Sequence, residues 1–447
     1  MTGRKRQNTL VSRSKPALSS TRSRAAMLAA VLVLIVATLL PRLASAADPY
    51  SSISPESQDT RDIQLLYKII FWIALIVFIG VQAAIVFTVM KYRQRRADEP
   101  RPEQIHGNQR LEVLWTIIPA IVLVAIFIPT VRTMFQIDDR ASNDSYVIQV
   151  YGKQWWWEVH YKEPQTVANV ITANEIYIPV NTRVRIELNS TNVIHSFYVP
   201  QLAGKMDVIP GHTNAMSVEA DQPGMYYGEC AEYCGDSHAY MRFKIMAVAQ
   251  DQFDLWVQGW NQGANSSAAA LTDNGDVDSV PSVMALCLGC HRIGGVPNGP
   301  TGQPLQDPPN GLAGGESPEN MILGPNLSML ACRTTIAAGI LPNNEESLHR
   351  WIHNPGAVKQ GNFMATMIKE GTVKDEDITK IVAYLETLKP EGGCPVITGV
   401  NADKVHRLAD DGGGGTTAQD PTDNADSMTG PAPIPELGYV TEVRSKS

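Results

Sequence analysis

The sequence predicts a multi-domain chain: a two-helix transmembrane hairpin, an all-β unit, and a smaller all-α unit. Three observations predict it. Two apolar runs, each long enough to cross a bilayer as a helix, stand a short basic loop apart. Residues from about Tyr146 to Ala249 read as short strands between turn signals. Residues from about Val280 to Cys394 carry patches of helical period. At 447 residues the chain is too long for one ordinary domain. Its formal net charge of −8 gives no global nucleic-acid footprint.

The N-terminus is basic (Arg4, Lys5, Arg6, Arg13, Lys15, Arg22, Arg24). The apolar run AAMLAAVLVLIVATLL and the small-x-small triplet Ala44-Ser45-Ala46 follow. Residues 1–46 therefore read as a signal peptide, with an uncleaved anchor as the alternative. The hairpin is placed at 63–135. Its first run, Ile69 to Met90, has Gln82 as the only strongly polar side chain. Its second, Val113 to Val131, contains Pro119 and Pro129, which membrane helices tolerate when neighbours satisfy the freed carbonyls. The loop KYRQRRADEPRPEQIHGNQR is rich in Lys and Arg. The positive-inside rule puts it in the cytoplasm and everything after Arg132 on the outer, oxidising side. The expected location is thus a bacterial inner membrane, crossed twice, with the later units on the periplasmic side.

The β unit is placed at 142–260. In RVRIEL, Val184, Ile186 and Leu188 alternate with charged residues, and MRFKIMAV does much the same. Turns are marked at Asn189 to Asn192, Pro210-Gly211 and Pro223-Gly224. About a hundred residues of short strands suggest a sandwich or a Greek-key barrel. A small polar linker is expected at 261–279, an α unit at 280–395 and a disordered acidic tail at 396–447.

The densest chemistry lies in GECAEYCGDSHAYM, Gly228 to Met241. It holds Cys230, Glu232, Cys234, His238 and Met241. Thiolate and thioether select copper, zinc or iron–sulfur, and imidazole suits copper or zinc. A structural zinc site would want four Cys/His ligands, usually with a CxxC knuckle. The spacing here is Cys-x3-Cys-x3-His-x2-Met, with one His, so another ligand must come from elsewhere. His195, in STNVIHSFYVP, ends a strand candidate. A distant His and a Cys–His–Met loop also mark blue-copper sites. A second Cys allows two thiolates to bridge two ions.

This set resembles the binuclear CuA centre of heme–copper oxidase subunit II, and the resemblance covers about Ile63 to Ala249. It implies a cupredoxin-like Greek-key barrel. It implies bridging by Cys230 and Cys234, one copper each on His195 and His238, and weak axial ligation by Met241 and the Glu232 carbonyl. The Glu232 side chain would bind magnesium at the contact with the catalytic subunit. By the same resemblance Glu112, in LEVLWTIIPA, stands at the mouth of a proton-uptake channel. Trp155, in KQWWWEV, is the point of electron entry, and Trp157 lies against the copper domain. GKMDVIPGH, Gly204 to His212, resembles the segment that touches the catalytic subunit, with Asp207 matching an acid there. His212 stands where many members carry Arg.

Cys287-Leu-Gly-Cys290-His291 is a CxxCH motif. It provides two thioether attachments for heme c and a proximal His. The segment resembles a class I cytochrome c. GPNL, Gly324 to Leu327, matches that family's proximal segment, and DEDITKIVAYLETL fits its C-terminal helix. The distal ligand is then a Met. Met364 and Met367 are the candidates, and Met364, shortly after a Lys-x-Gly turn, is favoured. His349 and His353 read as partly exposed helix residues. Cys332 and Cys394 are left over, as a disulfide or as free thiols.

Together the resemblances imply subunit II of a proton-pumping cytochrome c oxidase with a fused cytochrome c domain. Its expected partners are the catalytic subunit I, other oxidase subunits, and a c-type cytochrome or other donor. The oxygen site would lie in the partner. The alternatives are a CuA-containing subunit of a nitric oxide reductase and a membrane-tethered electron carrier. Glu112 and Glu232 favour the oxygen reductase, and a two-helix hairpin exceeds what tethering needs.

Overall fold

The computed structural model describes residues 54–93, 107–140, 146–161, 170–265, 282–293, 324–389 and 393–394. The expected signal peptide, the basic loop after Arg93, most of the linker and the tail lie outside the described residues.

Two long helices come first, α1 (Gln58–Tyr92) and α2 (Gln109–Arg140). Both are long and apolar enough to cross a membrane. Their large apolar side chains, such as Ile76 at 70% exposed and Leu123 at 67%, have no protein cover. This suits a lipid solvent, not water. Helix α1 starts five residues before the expected hairpin because Ser57 caps it: its hydroxyl accepts from Thr60 N, and Thr60 completes a capping box. The cap is also a fastening. Ser57 Oγ donates to Leu202 O at 2.6 Å, Thr60 Oγ1 donates to Gln201 O at 3.0 Å, and Arg61 pairs with Asp221. Helix α2 runs past the expected end at 135 and contains both Pro119 and Pro129.

The β unit comprises β1 (Tyr146–Lys153), β2 (Trp156–Tyr161), β3 (Val170–Ala173), β4 (Glu175–Pro179), β5 (Val184–Ser190), β6 (His195–Tyr198), β7 (Met206–Val208), β8 (Asn214–Val218), β9 (Gly224–Cys230) and β10 (Arg242–Val248). They form two five-stranded sheets, ordered β3-β2-β1-β5-β8 and β4-β10-β9-β6-β7. Strands β1 and β5 pair in parallel, as do β4 and β10, and the other pairs are antiparallel. Trp157, Tyr161, Ile176, Ile186, Leu188, Phe197, Tyr226 and Phe243 fill the space between the sheets. In β5 the expected alternation holds, with Val184, Ile186 and Leu188 inward.

Strand β10 differs from expectation: after Arg242 every residue is buried. Its outer face is covered too, and Lys244 Nζ there donates to Thr334 Oγ1 of the C-terminal unit at 3.1 Å. A second correction concerns the linker. Helix α3 (Gln250–Asn265) runs through its first five residues, held by Phe253, Trp256, Val257 and Trp260, buried at helical spacing. Trp256 stacks on Tyr177, centroids 4.8 Å apart.

The C-terminal unit has α4 (Ala285–Leu288), a short ladder of β11 (Thr335–Ile336) and β12 (Leu341–Pro342), α5 (Glu345–His353), α6 (Pro355–Val358), α7 (Met364–Met367) and α8 (Asp375–Leu385). Ile378, Ile381, Val382 and Leu385 of α8 pack with Met284, Leu288, Leu348 and Ile352. Cys332 and Cys394 form a disulfide. The two-residue ladder is a small departure from an all-α unit.

Glu158 of β2 is 4% exposed and bonded to Lys153 Nζ at 2.6 Å and His160 Nε2 at 2.8 Å. Burial alone would raise its pKa, but Lys153 and His160 outweigh burial and bring it down from 4.5 to about 2. A depressed carboxylate contributes stability above its unfolded pKa and loses it as pH falls through the folded one. The wild-type chain is therefore expected to lose on the order of 3 kcal/mol of stability between pH 4.5 and 2. Glu158→Gln, which removes the negative charge beside the buried Lys153 ammonium, is expected to cost roughly 3 kcal/mol already at pH 7 and to flatten that acid dependence. Denaturant unfolding in detergent, followed by tryptophan fluorescence across this range, checks both.

Candidate metal centres

Strands β6 and β9 pair antiparallel with Phe197 opposite Cys230. That register sets His195, at the start of β6, beside Cys230, at the end of β9. The loop after β9 folds back through a short 3-10 turn, His238–Tyr240. It is closed by Cys230 N donating to Met241 O at 3.0 Å and Met241 N donating to His238 O at 3.1 Å. His195, Cys230, Cys234 and Met241 are buried.

The donor atoms converge. The two Sγ atoms are 3.8 Å apart. His195 Nδ1 is 3.8 Å from Cys230 Sγ, and His238 Nδ1 is 3.5 Å from Cys234 Sγ. Met241 Sδ is 3.8 Å from Cys234 Sγ, and the Glu232 carbonyl oxygen is 3.2 Å from Cys230 Sγ. The ligand atoms of His195, Cys230 and Cys234 lie within 4.8 Å of one another. Contact between the two sulfurs holds the Cys230 thiol well below the ordinary range and raises that of Cys234 above it. A lowered thiol pKa favours the thiolate, the form that binds metal. Both are free of disulfide bonding. Two adjacent sulfurs, each with its own imidazole and a weak donor at the edge, fit a binuclear copper centre.

Support for these ligands comes from residues the motif does not name. His195 Nε2 meets Asn192 Oδ1 at 3.1 Å. With Nε2 as the N–H donor, Nδ1 keeps its lone pair toward the sulfurs. A Cβ on Gly152 would stand 2.7 Å from His195 Cδ2, so only glycine leaves room for the ring. Gln154 Nε2 and Trp155 Nε1 both donate to Cys234 O, at 2.7 and 3.1 Å. The rings of Trp157 and His195 are 5.8 Å apart. A cue to Asn192 was available in its place three residues before His195, in a turn; Gln154 gave no cue.

Not every expected residue joins this cluster. The Glu232 side chain is exposed, and so is Asp207. Glu112 is exposed in the first turn of α2. Trp155 is half-buried against the Cys234–Gly235 turn.

The second site lies in the C-terminal unit. Cys287 belongs to α4, and His291 N donates to Cys287 O at 2.9 Å. His291 Nδ1 meets Pro325 O at 2.8 Å. This makes Nδ1 the N–H nitrogen and leaves Nε2 for iron. A Cβ on Gly324 would stand 2.5 Å from His291 Cε1, which explains glycine in GPNL. Burial lowers the His291 pKa, favouring the neutral, ligating form. Cys287 and Cys290 are unpaired thiols, as thioether attachment requires. Met364 is half-buried against this core, whereas Met367 is 62% exposed. The residues present fit a covalently held heme.

Residues 146–248 match the family model "Cytochrome C oxidase subunit II, periplasmic domain", residues 51–133 its transmembrane domain, and residues 282–389 "Cytochrome c". Cytochrome c oxidase subunit 2 of Alkalihalophilus pseudofirmus is 36% identical over 343 residues, covering 75% of this chain and 89% of that one. The subunit 2 of Bacillus sp. strain PS3 is 34% identical, covering 67% and 80%. The crystal structure of the periplasmic domain of subunit II from Bradyrhizobium japonicum is 31% identical, covers 26% of this chain and 94% of that one, and superposes with a TM-score of 0.25. The molecule is thus a two-helix membrane subunit of the cytochrome c oxidase class. The chain belongs to the cytochrome c oxidase subunit II family, in a form that carries a C-terminal cytochrome c domain.

Asn192→Leu is expected to lower copper affinity roughly 10- to 100-fold while leaving both cysteines in place. Titration against a competing chelator, with thiol counting on the metal-free chain, checks it.

Proposed function

We propose that this chain delivers electrons from a c-type donor, through a covalently bound heme c and a binuclear CuA centre, to the catalytic heme–copper subunit that reduces dioxygen to water with proton pumping. The observation that carries the reading is the approach of His195, Cys230, Cys234, His238, Met241 and the Glu232 carbonyl to one another, in a chain that also holds His291 through Nδ1 and keeps Cys287 and Cys290 as free thiols.

Cys230, Cys234, His195, His238, Met241 and the Glu232 carbonyl would hold the coppers. Cys287 and Cys290 would anchor the heme, and His291 and Met364 would hold its iron. When bound, these groups supply one-electron redox chemistry. The protein supplies rigidity: six donor groups are set by strand pairing, by the closed 3-10 turn and by the bonds to Asn192, Gln154 and Trp155. A site held in one geometry needs little rearrangement between oxidation states. Burial keeps water from the sulfurs.

Exposure of the Glu232 carboxylate, with Asp207 also exposed, leaves both free to meet the catalytic subunit, where Glu232 would bind magnesium. Glu112, in the first turn of α2 after the basic loop, would collect protons from the cytoplasmic side. The copper and heme units then lie on the periplasmic side of a bacterial inner membrane. The partners are subunit I, other oxidase subunits and a c-type donor.

The test is optical and EPR spectroscopy of the purified complex with copper and heme quantified. Beyond the copper and hemes of the catalytic subunit, two coppers sharing one unpaired electron and one low-spin heme c are expected per chain; a single copper with a blue-copper spectrum sinks the reading. Met364→Ala is expected to lower the heme c reduction potential and change its spin state, because loss of a thioether ligand favours ferric iron. Met367→Ala is expected to leave both unchanged.

A further inference from the structure

The cytochrome c domain seats against the copper domain at two places. At the first, Glu175 of β4, 2% exposed, accepts from Thr334 Oγ1 at 2.7 Å, Thr335 N at 3.0 Å and Thr335 Oγ1 at 3.1 Å. Asn326 Nδ2 donates to Ile171 O at 2.9 Å, and Arg242 N to Ala338 O at 3.2 Å. This seat touches the copper loop only at Arg242, the residue after Met241.

The second seat lies on the copper loop itself. It is the turn Lys359-Gln360-Gly361, between α6 and α7. Lys359 is 4% exposed, and its Nζ donates to Trp155 O at 2.6 Å. Ser237 Oγ, one residue before His238, donates to Gln360 O. Gly361 has φ +74°, and a Cβ there would stand 2.5 Å from Asp236 Cβ. On the copper side Trp155 is itself bonded to Cys234 O. On the other side the turn is followed, five residues after Lys359, by Met364. A single turn thus joins the candidate axial ligand of one site to the thiolate loop of the other.

We infer that Lys359 is a positioning residue acting across the domain boundary: through Trp155 it holds the Cys234 end of the copper loop, and so sets the reduction potential of the copper centre. The inference rests on the copper and heme reading proposed above. An amine N–H donates to the Trp155 carbonyl in either charge state, so the effect does not require a particular protonation. The donor's positive end faces the Trp155 carbonyl, and the Trp155 indole in turn donates to Cys234 O. Such a dipole stabilises an added electron, and its removal lowers the potential of the site.

The experiment uses the full-length chain in its oxidase complex, with copper and heme content measured first. A wild type without two coppers beyond those of the catalytic subunit would defeat the cofactor reading on which this inference rests, before any variant is compared. Lys359→Met keeps the stem and removes the donor. The expected result is about a tenfold shift of the heme–copper electron equilibrium toward the heme, equivalent to ~59 mV for a one-electron couple. The copper EPR hyperfine pattern is expected to change, and Lys359→Arg to restore part of the shift. Gly361→Ala, which lifts the turn by steric overlap, is expected to lower the copper potential in the same direction. In the metal-free chain, hydrogen exchange at residues 154–156 and 234–238 is expected to quicken in both variants. An unchanged copper potential and spectrum in fully loaded Lys359→Met and Gly361→Ala would overturn the inference.

Discussion

The pairing of β6 with β9 is the contact on which the site depends. With Phe197 opposite Cys230, His195 and Cys230 come together although 35 residues separate them. A strand has a side-chain period of two, so a slip of one residue would turn the His195 ring to the other face and send Phe197 out of the core. Register is enforced by burial: Phe197 packs against Trp157 and Phe243, with centroids 5.5 and 4.3 Å away. The metal site thus inherits its geometry from an aromatic core that has no redox role. Gly152 and Gly228 serve the same end, since a Cβ at either would collide with His195 or Phe243.

The copper domain is built outward from that pairing, and its two neighbours fasten to it by different physics. Helix α1 is attached through its N-cap, where Ser57 and Thr60 spend hydroxyl bonds on Leu202 and Gln201. Helix ends carry unsatisfied backbone groups, so a cap that also binds a second domain satisfies both needs at once. The cytochrome c domain is attached through buried polar groups. Glu175 would be costly to bury alone, yet it receives two backbone N–H groups and two hydroxyls from Thr334 and Thr335, with buried Lys244 bonded to the same Thr334 hydroxyl. Such seats demand specific partners, so they favour one docked arrangement over a loose tether.

The chemistry of both sites was legible in the sequence because their ligands are local. Cys230, Cys234, His238 and Met241 fall within twelve residues, and Cys287, Cys290 and His291 within five. Local spacing survives any fold. The hairpin was legible because lipid demands long unbroken apolar runs. Less was legible where burial depends on a neighbour. Strand β10 reads as half-exposed and is buried on both faces, because the cytochrome c domain covers it. Helix α3 was passed over because its small polar end reads as linker, although Phe253, Trp256, Val257 and Trp260 carry the spacing.

By itself the sequence determined which atoms can bind metal, where a membrane helix must lie, and that three units follow one another. These are properties of residue type and short-range spacing. Only the tertiary structure decided that Asn192 orients His195, that Gly152 makes room for it, and that Lys359 reaches the Trp155 carbonyl 204 residues away. Hydrogen bonds and steric exclusion act over about 3 Å. Which residues come within that distance is settled by strand register and domain docking, and neither leaves a periodic mark in the chain.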